Sequence, residues 1–173
     1  MPDLDVDDIL KTAHAMAEAA RSAVLPFFRS ENLGTANKLT DGYDPVTEAD
    51  KGAERAMRAV LAQMRPDDAI IGEEYGSDEG RSGLTWVLDP IDGTRAFIKR
   101  KPHFVVSVGI IEDGVCVAGA LYNPLTFEAF DAHLQGGAAL NGKPIRVTDS
   151  PHIEGISMIG YDFKFKALKV WRA

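Results

Sequence analysis

Apolar residues near the N-terminus recur every three or four positions, which predicts a helix. The apolar stripe begins at Val6 and reaches Val24, with Asp and Glu on its outer side, as in an amphipathic helix of roughly 20 residues that packs on a core. We expect Pro26 and the polar stretch 29–34 to end this helix. Thr47 has the residue type of a helix N-cap. A second apolar stripe follows it before Pro66 and predicts a second helix, with an inner face of Ala53, Met57, Val60, Leu61 and Met64.

After Pro66 the apolar residues form short runs that predict strands. A polar stretch at 76–83 predicts a turn or flap between two of them, and Asp113-Gly114 is typical of a β-hairpin turn. Two helices followed by an antiparallel meander predict an α+β fold, a layered sandwich in which the N-terminal helices pack on the β-meander. The predicted strands are 69–72, 84–88, 104–111, 115–122, 127–130, 138–140 and 145–147.

Two segments stand apart from this pattern. The loop predicted at 30–46 is longer than most loops in small domains, which indicates a mobile or functional segment. After residue 150 a short apolar run is followed by basic residues that alternate with aromatic and aliphatic ones. We interpret this end as the start of another domain. The expected organisation is an N-terminal domain at 1–150 and a stub of a second domain at 151–173.

Composition narrows the class of protein and its partners. The chain has 173 residues and a formal net charge of −7, which argues against a nucleic-acid polymer as partner. A small anionic substrate fits if bound metal ions reverse the local charge. Cys116 is the one cysteine, so neither an intrachain disulfide nor a thiolate zinc site is expected. Apolar stretches fall short of the ~18 residues of a membrane span, and the N-terminus is acidic. We therefore expect a cytoplasmic protein without a membrane partner.

Four acidic residues lie where strands end or helices begin, namely Asp50, Glu73, Asp89 and Asp92. Mg²⁺ prefers one or two carboxylates together with water and phosphate oxygens. A strand end with Glu73 beside one with Asp89 would place two oxygens on one ion, and Asp92 could share Asp89 across a second ion. Two ions about 4 Å apart can clamp the attacking and leaving oxygens of a displacement.

Each of these residues also has a purely structural explanation. Asp89 precedes a proline, as turn residues often do, and Asp92 precedes a glycine, as in a type I′ turn. Asp50 is at the third position of a predicted helix, where an acid stabilises the helix dipole. Glu73 and Glu74 could be a solvated pair. Only the joint occurrence of the four acids favours a site, and no histidine pair has metal-ligand spacing.

Three ordered motifs resemble those of a known family. The run Gly72-Glu73-Glu74, followed 15 residues after Glu74 by Asp89-Pro90-Ile91-Asp92-Gly93-Thr94, closely resembles the two signature motifs of the inositol monophosphatase family. Residues 44–50 resemble its upstream element, D-x-V-T-x-x-D. The likeness covers residues 6–147, at the spacing that the family shows.

The resemblance implies a lithium-sensitive phosphomonoesterase that uses two or three Mg²⁺ ions. It makes residues 1–150 the N-terminal metal-binding phosphatase domain and residues 151–173 a stub of the C-terminal α/β domain. By position, Glu73, Asp89 and the carbonyl of Ile91 would hold the first ion. Asp89 and Asp92 would hold the second. Asp50 would support a weaker third ion together with Glu73.

The resemblance also assigns catalytic and phosphate-binding roles. Thr94 and Glu73 would orient the attacking water, and the amides of Gly93 and Thr94, beside Asp92, would meet the substrate phosphate. This agrees with the tendency of helix-start amides to bind anions. Lys38 matches a family lysine that approaches the metal and phosphate region, although its loop is one residue longer here.

The chain also departs from the family pattern. Family members continue into a second α/β domain, where the aspartate of a Trp-Asp pair completes the second metal site. Trp86 precedes Val87 and Trp171 precedes Arg172, so no such pair occurs here. If these 173 residues are the whole polypeptide, catalysis should be badly impaired.

Several functions therefore stay open. The substrate could be inositol monophosphate, histidinol phosphate, or 3′-phosphoadenosine 5′-phosphate, as in a 3′(2′),5′-bisphosphate nucleotidase. The alternative from another class is a catalytically impaired remnant that binds metal or anions and acts by oligomerisation. A homodimer is expected, because such a domain exposes an apolar face that a second domain would cover.

Overall fold

Two long helices pack against a β-sheet in the computed structural model, which describes residues 5–28, 35–37, 45–134, 136–147 and 149. The helices are α1 (Val6–Phe28), α2 (Glu48–Met64) and the short α3 (Thr94–Ile98). The strands are β1 (Thr35–Asn37), β2 (Pro45–Thr47), β3 (Ala69–Gly72), β4 (Gly76–Asp78), β5 (Leu84–Asp92), β6 (Val105–Glu112), β7 (Val115–Asn123), β8 (Glu128–His133), β9 (Gly137–Leu140) and β10 (Lys143–Ile145).

The main sheet has eight strands in the order β10-β9-β8-β7-β6-β5-β3-β4, and β1 and β2 form a separate antiparallel pair. Neighbours are antiparallel except for β3 and β5, which run parallel. The sheet is mixed because β4 turns back along the outer edge of β3 before the chain enters β5. The expected α+β layering of two helices on a sheet is confirmed.

One face of the sheet forms the core with α1 and α2. Along β5, Leu84, Trp86 and Leu88 are buried, while Thr85 and Val87 between them are less buried. This alternation is the two-residue period of a strand with one covered face. The helical residues that meet this face are small or apolar: Ile9, Ala13, Met16, Ala17, Ala20, Val24, Ala49, Ala53, Met57 and Leu61.

Three aromatic rings fix α3 against the rest of the fold. The rings of Phe97 and Phe104 meet edge to face with centroids 5.0 Å apart, and Phe28 lies 5.3–5.5 Å from both. Such pairs stabilise by roughly 0.5–1.5 kcal/mol beyond their buried area. They hold the start of α3 next to the end of β5, where the predicted site lies.

Some boundaries differ from the sequence prediction. The first helix was expected to end at Pro26 and the polar stretch 29–34; α1 continues through Pro26 and ends at Phe28, directly before that stretch. A proline this near a C-terminus removes only one late helical hydrogen bond, and Phe28 is buried by continuing. The stretch 76–83 contains the edge strand β4, and the long predicted loop contains β1 and β2. β5 extends four residues past Leu88, to Asp92.

Parts of the prediction lie outside the described residues, namely Lys38 and the stub at 151–173. Within the described part of the chain, no helix has the length and apolar character needed to cross a bilayer.

Candidate active site

The parallel pairing of β3 with β5 brings Glu73 beside Asp89. Gly72 lies opposite Leu88 in the register, and the Glu73 amide donates a hydrogen bond to the Leu88 carbonyl at 3.2 Å. The residue after each of these partners is therefore Glu73 on one strand and Asp89 on the other. Carboxyl ends of parallel strands meet at one edge of a sheet, as the sequence had suggested for these two residues.

A β-bulge sets the position of Asp92 relative to Asp89. Asp89 pairs with Ser107 and Asp92 pairs with Val105, so three steps along β5 match two along β6. In a regular strand, residues three apart point to opposite faces, but one extra residue reverses that relation. The extra residue falls around Pro90, which has no amide hydrogen for the ladder. The bulge thus allows both aspartates to face the same side.

The electrostatics of Asp89 show how close the three carboxylates are. Burial, and then the negative charges of Glu73 and Asp92 with a hydrogen bond shared with Glu73, raise the pKa of Asp89 to about 7. Ionisation of a carboxyl with so high a pKa costs free energy at neutral pH, unless a nearby cation stabilises the carboxylate. The Oδ1 atom of Asp89 is also buried and has no hydrogen-bond partner among the described residues.

The raised pKa and the unpartnered oxygen of Asp89 fit a site for a divalent cation, because the donor atoms here are carboxylate oxygens. Within the described residues, no three His, Cys, Asp or Glu side chains are already gathered in a metal-binding cluster. Glu73 and Asp92 are exposed, and like charges repel one another at short range. The raised pKa of Asp89 and its buried Oδ1 without a hydrogen-bond partner among the described residues therefore indicate that this sheet edge can accept a cation.

Asp89→Asn is expected to stabilise the metal-free chain at neutral pH. The folded-state pKa of about 7 exceeds the ordinary 3.8, so the native state holds the proton more tightly and loses stability as pH rises from about 4 to about 7. Asn has no such proton. The variant should gain about 1–2 kcal/mol over the unchanged chain at pH 7.5, a figure reduced for solvent screening, and little at pH 4.

Urea denaturation in EDTA at pH 4 and pH 7.5 measures this difference. Glu79→Gln, at an exposed position, is the control for losing one negative charge. An Asn variant whose stability follows the pH dependence of the unchanged chain would contradict the assigned environment of Asp89.

Gly93 converts the end of β5 into the start of α3. Its backbone is left-handed, with φ 97° and ψ 34°, and a Cβ there would lie 2.8 Å from the carbonyl oxygen of His103. Glycine satisfies both constraints. The segment therefore enters a helix instead of making the two-residue hairpin turn that Asp-Gly also favours. The Thr94 hydroxyl donates to the Ile91 carbonyl at 3.2 Å, which joins two of the predicted site groups.

Asp50 is buried in the first turn of α2, with 4% of its surface exposed, and α2 packs on β5. The structure thus places Glu73 and Asp92 near enough to Asp89 to affect its pKa. It puts Gly93 and Thr94 directly after Asp92, and Asp50 on the adjoining helix α2. The role of Asp50 as a metal ligand stays a prediction.

Sequence reasoning missed Glu54, whose side chain is completely buried on α2. Its carboxylate accepts hydrogen bonds from the amides of Glu74 at 2.7 Å and Tyr75 at 3.2 Å. A signal was present, because Glu54 occupies the inner stripe of the helix between Ala53 and Met57. A charged residue in an apolar stripe requires a partner.

An open cavity of about 700 Å³ lies on the sheet face opposite α1 and α2. Asp89 lines it, as do apolar residues of the central and outer strands such as Leu121, Phe130 and Leu134. Of the predicted site residues that the structure describes, only Asp89 lines this cavity. The sheet edge that carries Glu73, Asp89 and Asp92, called the acidic edge below, therefore adjoins a broad apolar surface.

Comparison with known proteins identifies the family of this chain. The sequence model of the inositol monophosphatase family matches residues 5–167. The chain belongs to the inositol monophosphatase family. It is 35% identical over 139 residues to a histidinol-phosphatase of Chlorobaculum parvum, covering 80% of this chain and 53% of the relative. It is 40% identical over 153 residues to Nus factor SuhB of Pseudomonas aeruginosa, covering 86% and 56%.

A solved structure shows that the fold is shared as well. An inositol monophosphatase from Zymomonas mobilis superposes with a TM-score of 0.69 at 37% identity, covering 86% of this chain and 56% of that one. The chain spans about half the length of the curated relatives that it matches. Membership of this family is consistent with phosphatase chemistry.

Proposed function

We propose that this chain supplies most of the active site of a Mg²⁺-dependent phosphatase that hydrolyses a small phosphate monoester. The observation that carries the proposal is the Asp89 carboxyl, whose Oδ1 is buried without a hydrogen-bond partner among the described residues and whose pKa is raised to about 7 by burial and then by the charges of Glu73 and Asp92. A structural turn has no need for three carboxylates at one sheet edge, because each adds repulsion that the fold must offset.

The donor set suits Mg²⁺, a hard cation that binds oxygen ligands. Glu73, Asp89 and the Ile91 carbonyl would hold one ion, Asp89 and Asp92 a second, and Asp50 with Glu73 a weaker third. When bound, such ions activate water and offset charge on a transferring phosphoryl group. Lithium sensitivity, as in the family resemblance, belongs to the same proposal.

Thr94 would orient the attacking water. Its hydroxyl hydrogen is directed to the Ile91 carbonyl, so its oxygen lone pairs can accept a hydrogen bond from water. Glu73, across the strand pair, would receive the other hydrogen of that water. The amides of Gly93 and Thr94 would bind phosphate oxygens at the start of α3, and Lys38 would add positive charge.

The test is a phosphate-release assay with Mg²⁺ on inositol monophosphate, histidinol phosphate and 3′-phosphoadenosine 5′-phosphate. The names of the relatives motivate the first two substrates. Hydrolysis of one of them that requires Mg²⁺ and is inhibited by lithium is the expected result. If a chain that is verified as complete hydrolyses none of the three substrates, the proposal is contradicted.

The second candidate is a remnant that binds metal or anions without turnover. The exposed apolar residues Leu121, Phe130 and Leu134 on the outer sheet face favour it, because a second copy of the chain could cover them. It predicts calorimetric Mg²⁺ binding without phosphate release. The remnant would act as a homodimer through the exposed sheet face, and sedimentation velocity would show the dimer.

A further inference from the structure

Glu54 is a buried carboxylate whose hydrogen bonds lead to the turn that carries Glu73. None of its side-chain surface is exposed. Oε2 accepts from the Glu74 amide at 2.7 Å, and Oε1 accepts from the Tyr75 amide at 3.2 Å. Hydrogen bonds to an ionised acceptor are about twice as strong as neutral ones. The two residues that follow Glu73 are thus tied to α2 through one side chain.

The end of β3 is shaped to admit this carboxylate. A Cβ on Gly72 would lie 2.0 Å from Oε1 of Glu54 and 2.5 Å from its Cδ. The backbone immediately before Glu73 therefore rests against the carboxylate, at a distance that only glycine allows. Glu54 is in contact with residues on both sides of Glu73.

Arg58 completes the arrangement one helical turn later. Its Nε donates to Oε1 of Glu54 at 2.8 Å, which compensates the buried charge. The same guanidinium donates to the Gly76 carbonyl at 2.5 Å and to Asp78 at 2.7 Å. Glu54 holds the turn, while Arg58 holds Glu54 and the strand after the turn.

From this geometry we propose that Glu54 is a positioning residue, which fixes the 73–75 turn so that the Glu73 carboxylate faces Asp89. The inference rests on the proposed function in that Glu73 acts as a metal ligand. Residues that orient ligands from behind commonly change metal affinity by 10–100-fold when they are altered. A side chain that served only to stabilise the fold would affect global unfolding. It would leave the Mg²⁺ affinity and the amide exchange rates of the 73–75 turn unchanged.

The experiment compares Glu54→Gln and Glu54→Asp with the unchanged chain. Gln replaces an acceptor oxygen with a donor, whereas Asp retains the charge opposite Arg58 but withdraws it by one methylene. The matched controls are Glu48→Gln and Glu48→Asp on the same helix, where the side chain is 60% exposed and forms a long ion pair with Lys51 at 3.9 Å.

Amide hydrogen exchange in the metal-free chain is measured by NMR, and Mg²⁺ affinity is measured by calorimetry. Both Glu54 variants should accelerate exchange at Glu74 and Tyr75 at least about tenfold and weaken Mg²⁺ binding about 10–100-fold. Both Glu48 variants should leave the two quantities unchanged. Urea denaturation establishes that each variant is folded, and Glu54→Asp keeps the test valid if Glu54→Gln does not fold.

Unchanged exchange or unchanged Mg²⁺ affinity in a folded Glu54 variant would overturn the proposal. If the unchanged chain binds no Mg²⁺ at all, the proposed function fails. The exchange rates of Glu74 and Tyr75 would still decide whether Glu54 positions the turn, so the two failures are distinguishable.

Discussion

Asp92→Asn is expected to lower Mg²⁺-dependent phosphate release about a thousandfold, equivalent to about 4 kcal/mol of transition-state stabilisation. The amide keeps the shape of the side chain but removes the charge that would hold a second ion with Asp89. Asp92 is exposed, so the free energy of unfolding should change by less than about 0.5 kcal/mol. Phosphate-release kinetics and urea denaturation measure the two quantities.

Glu79→Gln is the matched control for this variant. It removes one negative charge at another exposed position and should retain full activity. Calorimetry should also show Mg²⁺ affinity lower by at least about tenfold in Asp92→Asn alone. Normal turnover by the Asn variant would remove Asp92 from the metal centre.

The acidic edge could be predicted from the sequence because it depends on local chain order. Glu73 and Asp89 each follow a short apolar run, and apolar runs of that length predict buried strands. The parallel register of β3 and β5 then brings the two strand ends together. Gly93 was likewise recognisable, because a glycine between a strand and a helix often has positive φ.

The relation between Asp89 and Asp92 was harder to predict. It depends on a bulge in the pairing of β5 with β6, and the sequence around Asp89 does not determine where a partner strand loses register. Pro90 was a hint, since a proline in a central strand marks a bulge or an end. The sequence interpretation took it as the end of the strand.

Glu54 shows a different limit of sequence reasoning. Its position on the inner stripe of α2 is readable, but its partners are the amides of Glu74 and Tyr75, some 20 residues away along the chain. Backbone amides leave no sequence signature, because every residue except proline has one. Residues that position a site from behind are therefore found in structures more readily than in sequences.

Asp68→Asn is expected to lower the free energy of unfolding by about 2–3 kcal/mol at pH 7. One oxygen of Asp68 accepts hydrogen bonds from the buried Trp86 indole at 2.8 Å and from Arg65 at 2.7 Å. These bonds tie the start of β3 to the middle of β5, the same two strands that carry Glu73 and Asp89. The neutral amide weakens both bonds and leaves Arg65 dependent on Asp8, at 2.9 Å.

The pH dependence distinguishes this loss from a general packing defect. Burial opposes ionisation of Asp68, but hydrogen bonds from Arg65, Ser82 and Trp86 and the charge of Arg65 hold its pKa below the ordinary 3.8. The carboxylate therefore contributes stability above about pH 4, and this contribution is lost as pH falls through the folded-state pKa. Asp68→Asn should differ most from the unchanged chain at pH 7 and least near pH 2.

Asp67→Asn is the control, because the neighbouring aspartate pairs with Arg81 where both side chains are largely exposed. Exposed ion pairs stabilise by about 0–1 kcal/mol, so this variant should unfold nearly as the unchanged chain does. Urea denaturation at pH 7 and pH 2 measures all three proteins. Equal losses in the two variants would mean that the link between Asp68 and Trp86 does not support the strand pair on which the site is built.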